Sequence, residues 1–554
     1  MRNKYWWLNE ESQTMLERGY LMQTQTVDDK LEIICKYASS FYKKPELKDK
    51  FKELFERGWC SLSSPIWANF GEDRGLPISC FNSYVPDSLE GIYSALHEVA
   101  IMTQKGGGTS GYFGKLRPIG TPIKGGGISS GMMSFLELYD STTKVVSQAG
   151  VRRGAFAAYV DIDHPEIEEF LKIKDKTHHM QSINFAVNVT DTFMQSMMDG
   201  DREKRELWAK IIKSRREKGM PYINFVDTIN KNKPQIYKDS NSTINSSNLC
   251  NEIHLPTNER ESFVCCLMSM NLATYDEWKD TDAVKMAVYF LDAVMEDFIK
   301  KCKNIPSMIR AYNFALRHRA LGLGVLGWHT LLQQKMIPFE SLDAQRLNIE
   351  IFKKIKEEAY KASVELGNEY GFAPIFDEVE TTDIKRRNTT LLAIAPTTSS
   401  ASILGQVSPS IEPFASNYFV AGLAKGSFPR KNKELEKILI EKGKNTDDIW
   451  ESIVLNQGSV QHLSFLNENE KEVFKTFTEI SPLAIIQQAS ARQKYIDQGQ
   501  SLNLKIPSEM TPKQINEIHI NAWESGVKGL YYQRGTSVAK EKVLEMMNCK
   551  ACEG

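Results

Sequence analysis

No stretch of this 554-residue chain approaches the ~18 consecutive apolar residues that a membrane-spanning helix needs. The opening MRNKYWWLNEES also lacks the apolar core of a secretory signal. Neither sign of charge is in excess. Lys and Arg total 69 against 70 Asp and Glu, a net of −1, which argues against a polybasic nucleic-acid or membrane-surface binder. There is no internal repeat and no low-complexity linker. Cysteine is sparse and odd in number, nine residues in all, so a disulfide framework is not expected. With 41% apolar and 25% charged residues, what remains is an ordinary globular protein, expected in the cytoplasm, with no nucleic-acid or membrane partner. At ~150 residues per domain its length allows three or four domains, or one large α/β domain with appendages.

The chain is uneven in texture. From Tyr5 to about Trp59 apolar residues recur three and four apart, as in a helical region. Twelve of the 34 glycines fall between Gly106 and Gly154, the backbone freedom that loops passing close to a ligand require. SINFAVNVT (182–190) alternates as a strand, and NTTLLAIA (388–395) is a compact apolar run predicting another. Helical periods over 281–302 and 344–366 separate such runs, so the pattern predicts an α/β core with parallel strands. The last residues, MNCKACEG, carry a C-x-x-C with nothing after it to pack on, and a terminal segment of this kind is expected to be mobile.

Chemistry-bearing residues concentrate at a few places. Asn248, Cys250 and Glu252 alternate, so on an extended segment an amide, a thiol and a carboxyl share one face. Cys250 can then act as a polarised nucleophile or a radical carrier, with Glu252 as base and Asn248 as a clamp; a polar loop with an incidental thiol is the equally weighted alternative. Cys80, and Cys265 or its neighbour Cys266, can supply the two electrons of a reduction by closing a disulfide. Zinc is the weaker reading, because Cys549-x-x-Cys552 has no second close pair. That terminal pair fits a shuttle that reaches a buried disulfide, against the alternative of a frayed end with stray thiols. Pro396-Thr397-Thr398-Ser399-Ser400 follows an apolar strand and can cradle a phosphate, although a plain helix cap is commoner. Tyr531-Tyr532 alone are ordinary strand aromatics.

In this order, SNLCNEIHLPT (247–257), PISCFNSYVPDSLEGIY (77–93), KGGGTSG (105–111), HRALGLGVLGWH (318–329), APTTSSASI (395–403), YIDQGQSLNL (495–504), GLYYQRG (529–535) and the terminal CKACEG resemble the large catalytic subunit of ribonucleotide reductases, from about Trp7 to the end. The resemblance implies a ten-stranded α/β barrel of two five-stranded parallel halves with an inner finger loop. It implies a helical N-terminal region at 1–60, the barrel with its specificity loops at 61–539, and a flexible redox tail at 540–554. The family's N-terminal ATP cone has no counterpart at the start of this sequence, so the ATP/dATP on/off switch is expected to be absent.

By the same resemblance Cys250 carries a thiyl radical that takes the ribose 3′ hydrogen, Glu252 takes the 3′ hydroxyl proton, and Asn248 orients the sugar hydroxyls. Cys80 and Cys265 reduce C2′, with Cys265 preferred over Cys266 because its six-residue offset to Asn271 fits the family's C-x5-N-L spacing. Cys549 and Cys552 re-reduce that pair, recharged by thioredoxin or glutaredoxin. Ser64, Ser79, Thr397, Ser399 and Ser400 line the substrate site for ribonucleoside diphosphates. Asp87, Ser88, Arg117, Arg152 and Arg153 form and relay a dNTP/ATP effector site at a homodimer interface. Tyr531 and Tyr532 match the adjacent tyrosines through which class I enzymes receive the radical from a metal-containing β subunit, so this chain needs no cofactor or metal of its own. The alternatives are an adenosylcobalamin-dependent class II enzyme and a catalytically silent nucleotide-binding regulator; the second would have lost the thiols, all five of which are present.

Overall fold

Strands covered on both faces carry no polar face, and the segments Phe156–Asp161 (FAAYVD) and Asn184–Val189 (NFAVNV) are buried along nearly their whole length. In the computed structural model, which describes residues 4–22, 24–148, 152–423 and 426–535, they run parallel within a sheet. Five strands, Cys80–Tyr84, Gly108–Tyr112, Phe156–Asp161, Asn184–Val189 and Tyr222–Phe225, pair in that order, all parallel. Parallel neighbours need crossover connections. Here these contain the helices Leu89–Gln104, Met132–Val145 and Arg202–Lys218, among others.

The second half turns back on the first. Phe263–Asn271 is antiparallel to Cys80–Tyr84 and parallel to Leu321–Leu326. Segment 391–394 joins next through the parallel Leu323–Leu392 bridge, and 498–502 follows through the parallel Ile394–Gln500 bridge. Tyr531 N–H then donates to Leu502 O at 2.9 Å, and Gly529–Leu530 pairs antiparallel with Tyr222–Phe225. The ring therefore closes on itself: ten segments in two parallel halves that meet at two antiparallel seams, as the resemblance implies.

The NTTLLAIA run differs from its expectation. It forms two isolated bridges, at Leu392 and Ile394, rather than a continuous strand. Its backbone is partly occupied by a side chain, since the Asp497 carboxylate accepts from Leu391 N–H (2.8 Å) and Leu392 N–H (3.1 Å). The two expected helices are present as Ala283–Cys302 and Leu342–Tyr370.

The N-terminal region is helical: Glu10–Gly19, Val27–Ser40 and Leu47–Glu56. The first two open on reciprocal capping boxes, Asn9 with Ser12 and Thr26 with Asp29, each satisfying N–H groups that a helix start leaves unpaired. Val27–Ser40 and Leu47–Glu56 pack against Ala283–Cys302, a helix buried nearly all round because it lies between this layer and the barrel, while Glu10–Gly19 packs on the short helix Thr398–Ile403. A second, smaller core of Leu435, Leu439, Trp450, Ile453, Val473 and Phe474 lies between segments 391–394 and 498–502 in the chain. Among the described residues no helix is long and apolar enough to cross a membrane.

Candidate active site

A loop threaded through a barrel has no ladder of its own, so its buried carbonyls must find side-chain donors. Four adjacent strands supply them to residues 245–248. Asn82 Nδ2 (3.1 Å) and Ser110 Oγ (2.8 Å) donate to Ser247 O, Asn188 Nδ2 donates to Asn245 O (2.6 Å), and Tyr159 OH donates to Asn248 O (2.6 Å). Sequence reasoning missed these four residues. Their signal, an Asn, Ser or Tyr buried within a strand, is faint, because the same strands carry other polar residues such as Ser83, Thr109 and Asn184.

Asn248, Cys250 and Glu252 do not share the face of an extended segment. The loop tip is a turn closed by Asn251 N–H on Asn248 O (3.2 Å), with Asn251 at φ +65°, a left-handed conformation that Asn tolerates better than most residues. The Asn248 side chain spans the turn: its Oδ1 accepts from Glu252 N–H (3.0 Å) and Ile253 N–H (3.1 Å), and its Nδ2 donates to Cys80 Sγ (3.1 Å). Ser501 Oγ lies 2.6 Å from Cys250 O and 2.9 Å from Glu252 Oε2, tying the thiol-bearing residue and the carboxylate to one hydroxyl. A turn therefore achieves the convergence that alternation suggested. Ser501 and Gln498 stand in the quoted YIDQGQSLNL motif, but no role had been read for them.

Cys80 and Cys265 are direct partners across the antiparallel seam. Such partners have Cα atoms ~4.5–5.5 Å apart, within the range a disulfide spans. Both are free thiols here. Cys266, one residue on, belongs to the other face: its charged surroundings include Asp292 and Asp297 of the outer helix Ala283–Cys302 and Arg319, whereas Glu252 bears on both Cys80 and Cys265. Burial pushes the Cys80 and Cys265 thiols well up, which keeps them protonated at neutral pH. Gln498 Nε2 lies 3.7 Å from Cys265 Sγ. Cys250 is more exposed than either.

Tyr531 and Tyr532 are buried with ring centroids 4.3 Å apart. The rings are tilted by 56°, not stacked, because Tyr222 packs against both, at 4.6 and 5.0 Å. Asn184 Nδ2 donates to Tyr532 OH at 3.2 Å.

Hydroxyl groups gather where segments 62–64 and 397–400 adjoin, with Ser400 Oγ 3.5 Å from Leu62 O. Ser399 belongs to the same short helix, Thr398–Ile403. Thr397 Oγ1 accepts from Ser410 N–H (2.7 Å), and Ser64 Oγ lies 2.8 Å from Tyr20 OH. The hydroxyls of Ser63, Ser79 and Ser410 are buried without a partner among the described residues. Buried polar atoms in proteins generally find a partner, so unpaired hydroxyls such as these mark places for a polar ligand. Ser63 and Ser410 were not singled out in the sequence.

Asp87 and Arg117 pair with each other: Arg117 Nε donates to Asp87 Oδ2 (2.8 Å) and Arg117 N–H to Asp87 Oδ1 (3.2 Å). Ser88 caps the helix Leu89–Gln104, its Oγ accepting from Gly91 N–H. Arg152 and Arg153 form a short antiparallel pairing with Gln148 and Ser147. Cys549 and Cys552 lie outside the described residues.

Comparison with known proteins agrees with this geometry. Residues 78–204, 200–386 and 382–533 match the family model for the ribonucleotide reductase barrel domain. A protein of Frog virus 3 (isolate Goorha) is 38% identical over 92% of this chain and 93% of its own length. The ribonucleoside-diphosphate reductase large subunit of Invertebrate iridescent virus 3 is 33% identical over 89% of this chain and 88% of its own. Among solved structures, the Actinobacillus ureae class Id ribonucleotide reductase alpha subunit superposes with a TM-score of 0.91 at 48% identity, covering 98% of this chain and 99% of that one. With a closed ten-segment ring, a finger loop carrying Cys250 and a thiol pair facing across a seam, this chain belongs to the ribonucleotide reductase family, among its large subunits.

Proposed function

We propose that this chain reduces ribonucleoside diphosphates to 2′-deoxyribonucleotides as the catalytic subunit of a class I enzyme. The observation that carries the reading is the registered Cys80–Cys265 pair beneath a loop that presents Cys250, Asn248 and Glu252 together. In this reading a thiyl radical on Cys250 takes the 3′ hydrogen and Glu252 takes the 3′ hydroxyl proton while Asn248 orients the sugar. The C2′ hydroxyl then leaves as water. Cys80 and Cys265 together give up two electrons and two protons, their sulfurs join as a disulfide, and the 3′ hydrogen returns to carbon. Protonated thiols suit this step, since each must deliver a hydrogen.

Ser64, Ser79, Thr397, Ser399 and Ser400 would hold the substrate phosphates and sugar, with the unpaired hydroxyls of Ser63 and Ser410 as further donors. Tyr531 and Tyr532 would pass the oxidising equivalent inward from a separate metal-containing, radical-generating subunit. Cys549 and Cys552 would return electrons from thioredoxin or glutaredoxin. Asp87, Ser88, Arg117, Arg152 and Arg153 would bind and relay a deoxynucleotide or ATP effector. An apolar groove between Leu89–Gln104 and Met132–Val145, lined by Tyr93, Leu96, Ala100 and Val145, would seat the second copy of a homodimer; Val145 is 81% exposed. CDP and CTP turnover with a dithiol, with and without a candidate β subunit or adenosylcobalamin, tests the reading. CDP reduction that depends on the β subunit supports it; activity with adenosylcobalamin alone refutes the class, and Cys250→Ser turnover refutes the site.

A further inference from the structure

The residue after Cys250 does more than turn the chain. Asn251 is fully buried, and its side chain leaves the finger loop in two directions. Its Nδ2 lies 3.4 Å from Leu530 O, the carbonyl of the peptide bond that joins Leu530 to Tyr531. Its Oδ1 lies 3.1 Å from Tyr159 OH, which also holds Asn248 O. The loop tip is thus fastened on one side to the Phe156–Asp161 strand and on the other to the short strand that runs into the tyrosine pair.

This approach is possible because residue 529 has no side chain. A Cβ on Gly529 would stand 2.9 Å from Asn251 Nδ2 and 2.9 Å from Ile223 O, closer than real Cβ contacts. Asn251 itself sits at φ +65°, where Asn pays little for the left-handed backbone while keeping an amide that can donate and accept at once. A positive φ, a missing Cβ opposite and a phenol on the far side meet at one amide.

We infer that Asn251, seated by Tyr159 and Gly529, is a positioning residue that latches the Cys250 loop to the strand carrying Tyr531 and Tyr532. The inference rests on the reading of Cys250 as radical carrier. The step it serves is hydrogen-atom transfer: the Cys250 S–H bond breaks, a phenoxyl radical on the tyrosine pair gains that hydrogen and becomes a phenol, and sulfur is left as thiyl. The oxidising equivalent is the one delivered by the separate radical-generating subunit. Hydrogen transfer needs the reacting atoms held near contact, and the two partners sit on different parts of the chain, 250 and 531, with no ladder between the loop and the strand.

The test uses the full chain with its β subunit and the CDP assay. Asn251→Gly keeps the positive φ and removes the latch; Tyr159→Phe removes one hydroxyl and keeps its ring. Each is expected to lower the single-turnover rate about tenfold, the value of one well-placed bond at the reacting geometry, with KM for CDP and affinity for the β subunit unchanged. Gly529→Ala is expected to lower the rate further by pushing the strand off the amide. Single-turnover rates within twofold of wild type for both Asn251→Gly and Tyr159→Phe overturn the latch, and so does a rate loss matched by a rise in KM, which would mark a merely structural role. Cys250→Ser run alongside separates the two levels. If it stays active, the reading of the site fails; if it is inactive while the latch variants run at full rate, only the latch fails. Should Asn251→Gly not fold, Asn251→Asp decides, since it keeps the acceptor that faces Tyr159 and loses the donor to Leu530 O.

Discussion

Replacing Cys265 and Cys266 one at a time asks which of two adjacent thiols is the partner of Cys80. Cys265 stands opposite Cys80 in an antiparallel pair, where Cα atoms are ~4.5–5.5 Å apart, so a disulfide forms with little backbone movement. Cys266 has its Cβ on the opposite side of the sheet, toward the helix Ala283–Cys302, and reaching Cys80 would require the strand to rotate or slip by a residue. The assay is product made per subunit by prereduced enzyme with no external reductant, in a Cys549→Ser/Cys552→Ser background so that only the interior dithiol contributes. One dithiol stores two electrons, so Cys266→Ala is expected to make about one 2′-deoxy product per active subunit and Cys265→Ala essentially none. Both sites are fully buried, and truncating a small apolar group there costs about 1–2 kcal/mol, which thermal melts should show as a similar shift for both variants. A folded Cys266→Ala that makes no product, or a Cys265→Ala that makes a stoichiometric amount, would refute the assignment drawn from strand register.

Three further outcomes are expected. Tyr531→Phe and Tyr532→Phe should each abolish β-dependent turnover while costing stability only about 1 kcal/mol, since the rings still pack on Tyr222; activity retained in both would exclude the pair as a radical route. Val145→Asp should place a charge in the apolar groove between Leu89–Gln104 and Met132–Val145 and shift the dimer toward monomer in sedimentation, and an unchanged dimer would move the interface elsewhere. Lys528, buried and bonded to Asp497 O (2.7 Å) and Gln498 O (2.9 Å), has its pKa lowered by burial to about 7 from 10.5. Between those values the unfolded chain binds more protons than the folded one, so stability should rise with pH across about 7 to 10, and Lys528→Met should flatten that rise in denaturant titrations.

Much of this site was legible in the sequence because chemistry restricts residue types. A thiol between an amide and a carboxyl, two further thiols, and a Tyr-Tyr pair in motif order led to the positions that the fold brings together. What stayed hidden depends on three-dimensional register. The preference for Cys265 over Cys266 rested on the family's spacing alone, because periodicity cannot tell the faces of a strand buried on both sides, and it is the register that shows which thiol looks inward. Asn82, Ser110, Tyr159 and Asn188 are strand residues whose role is to hold the carbonyls of a distant loop, which no local pattern encodes. The tip of the finger was expected to be extended, yet the hydrogen bonds of Asn248 to Glu252 and Ile253 favour a turn, an instance of short polar side chains competing with regular backbone. The strand expected over 388–395 was reduced to bridges by Asp497, a residue about a hundred positions away.

The placement of Cys80 opposite Cys265 on the seam gives the barrel a mechanical consequence. Along this line the backbones of the two parallel halves pair over a short register, Cys80–Asn82 with Phe263–Cys265. Every oxidation of the dithiol would add a covalent rivet between the halves, and every re-reduction would remove it. The same joint would alternate between a hinge and a weld in step with turnover, and amide exchange along strands 80–84 and 263–271 should slow in the oxidised protein and quicken on reduction, a clock of the redox cycle readable far from any substrate.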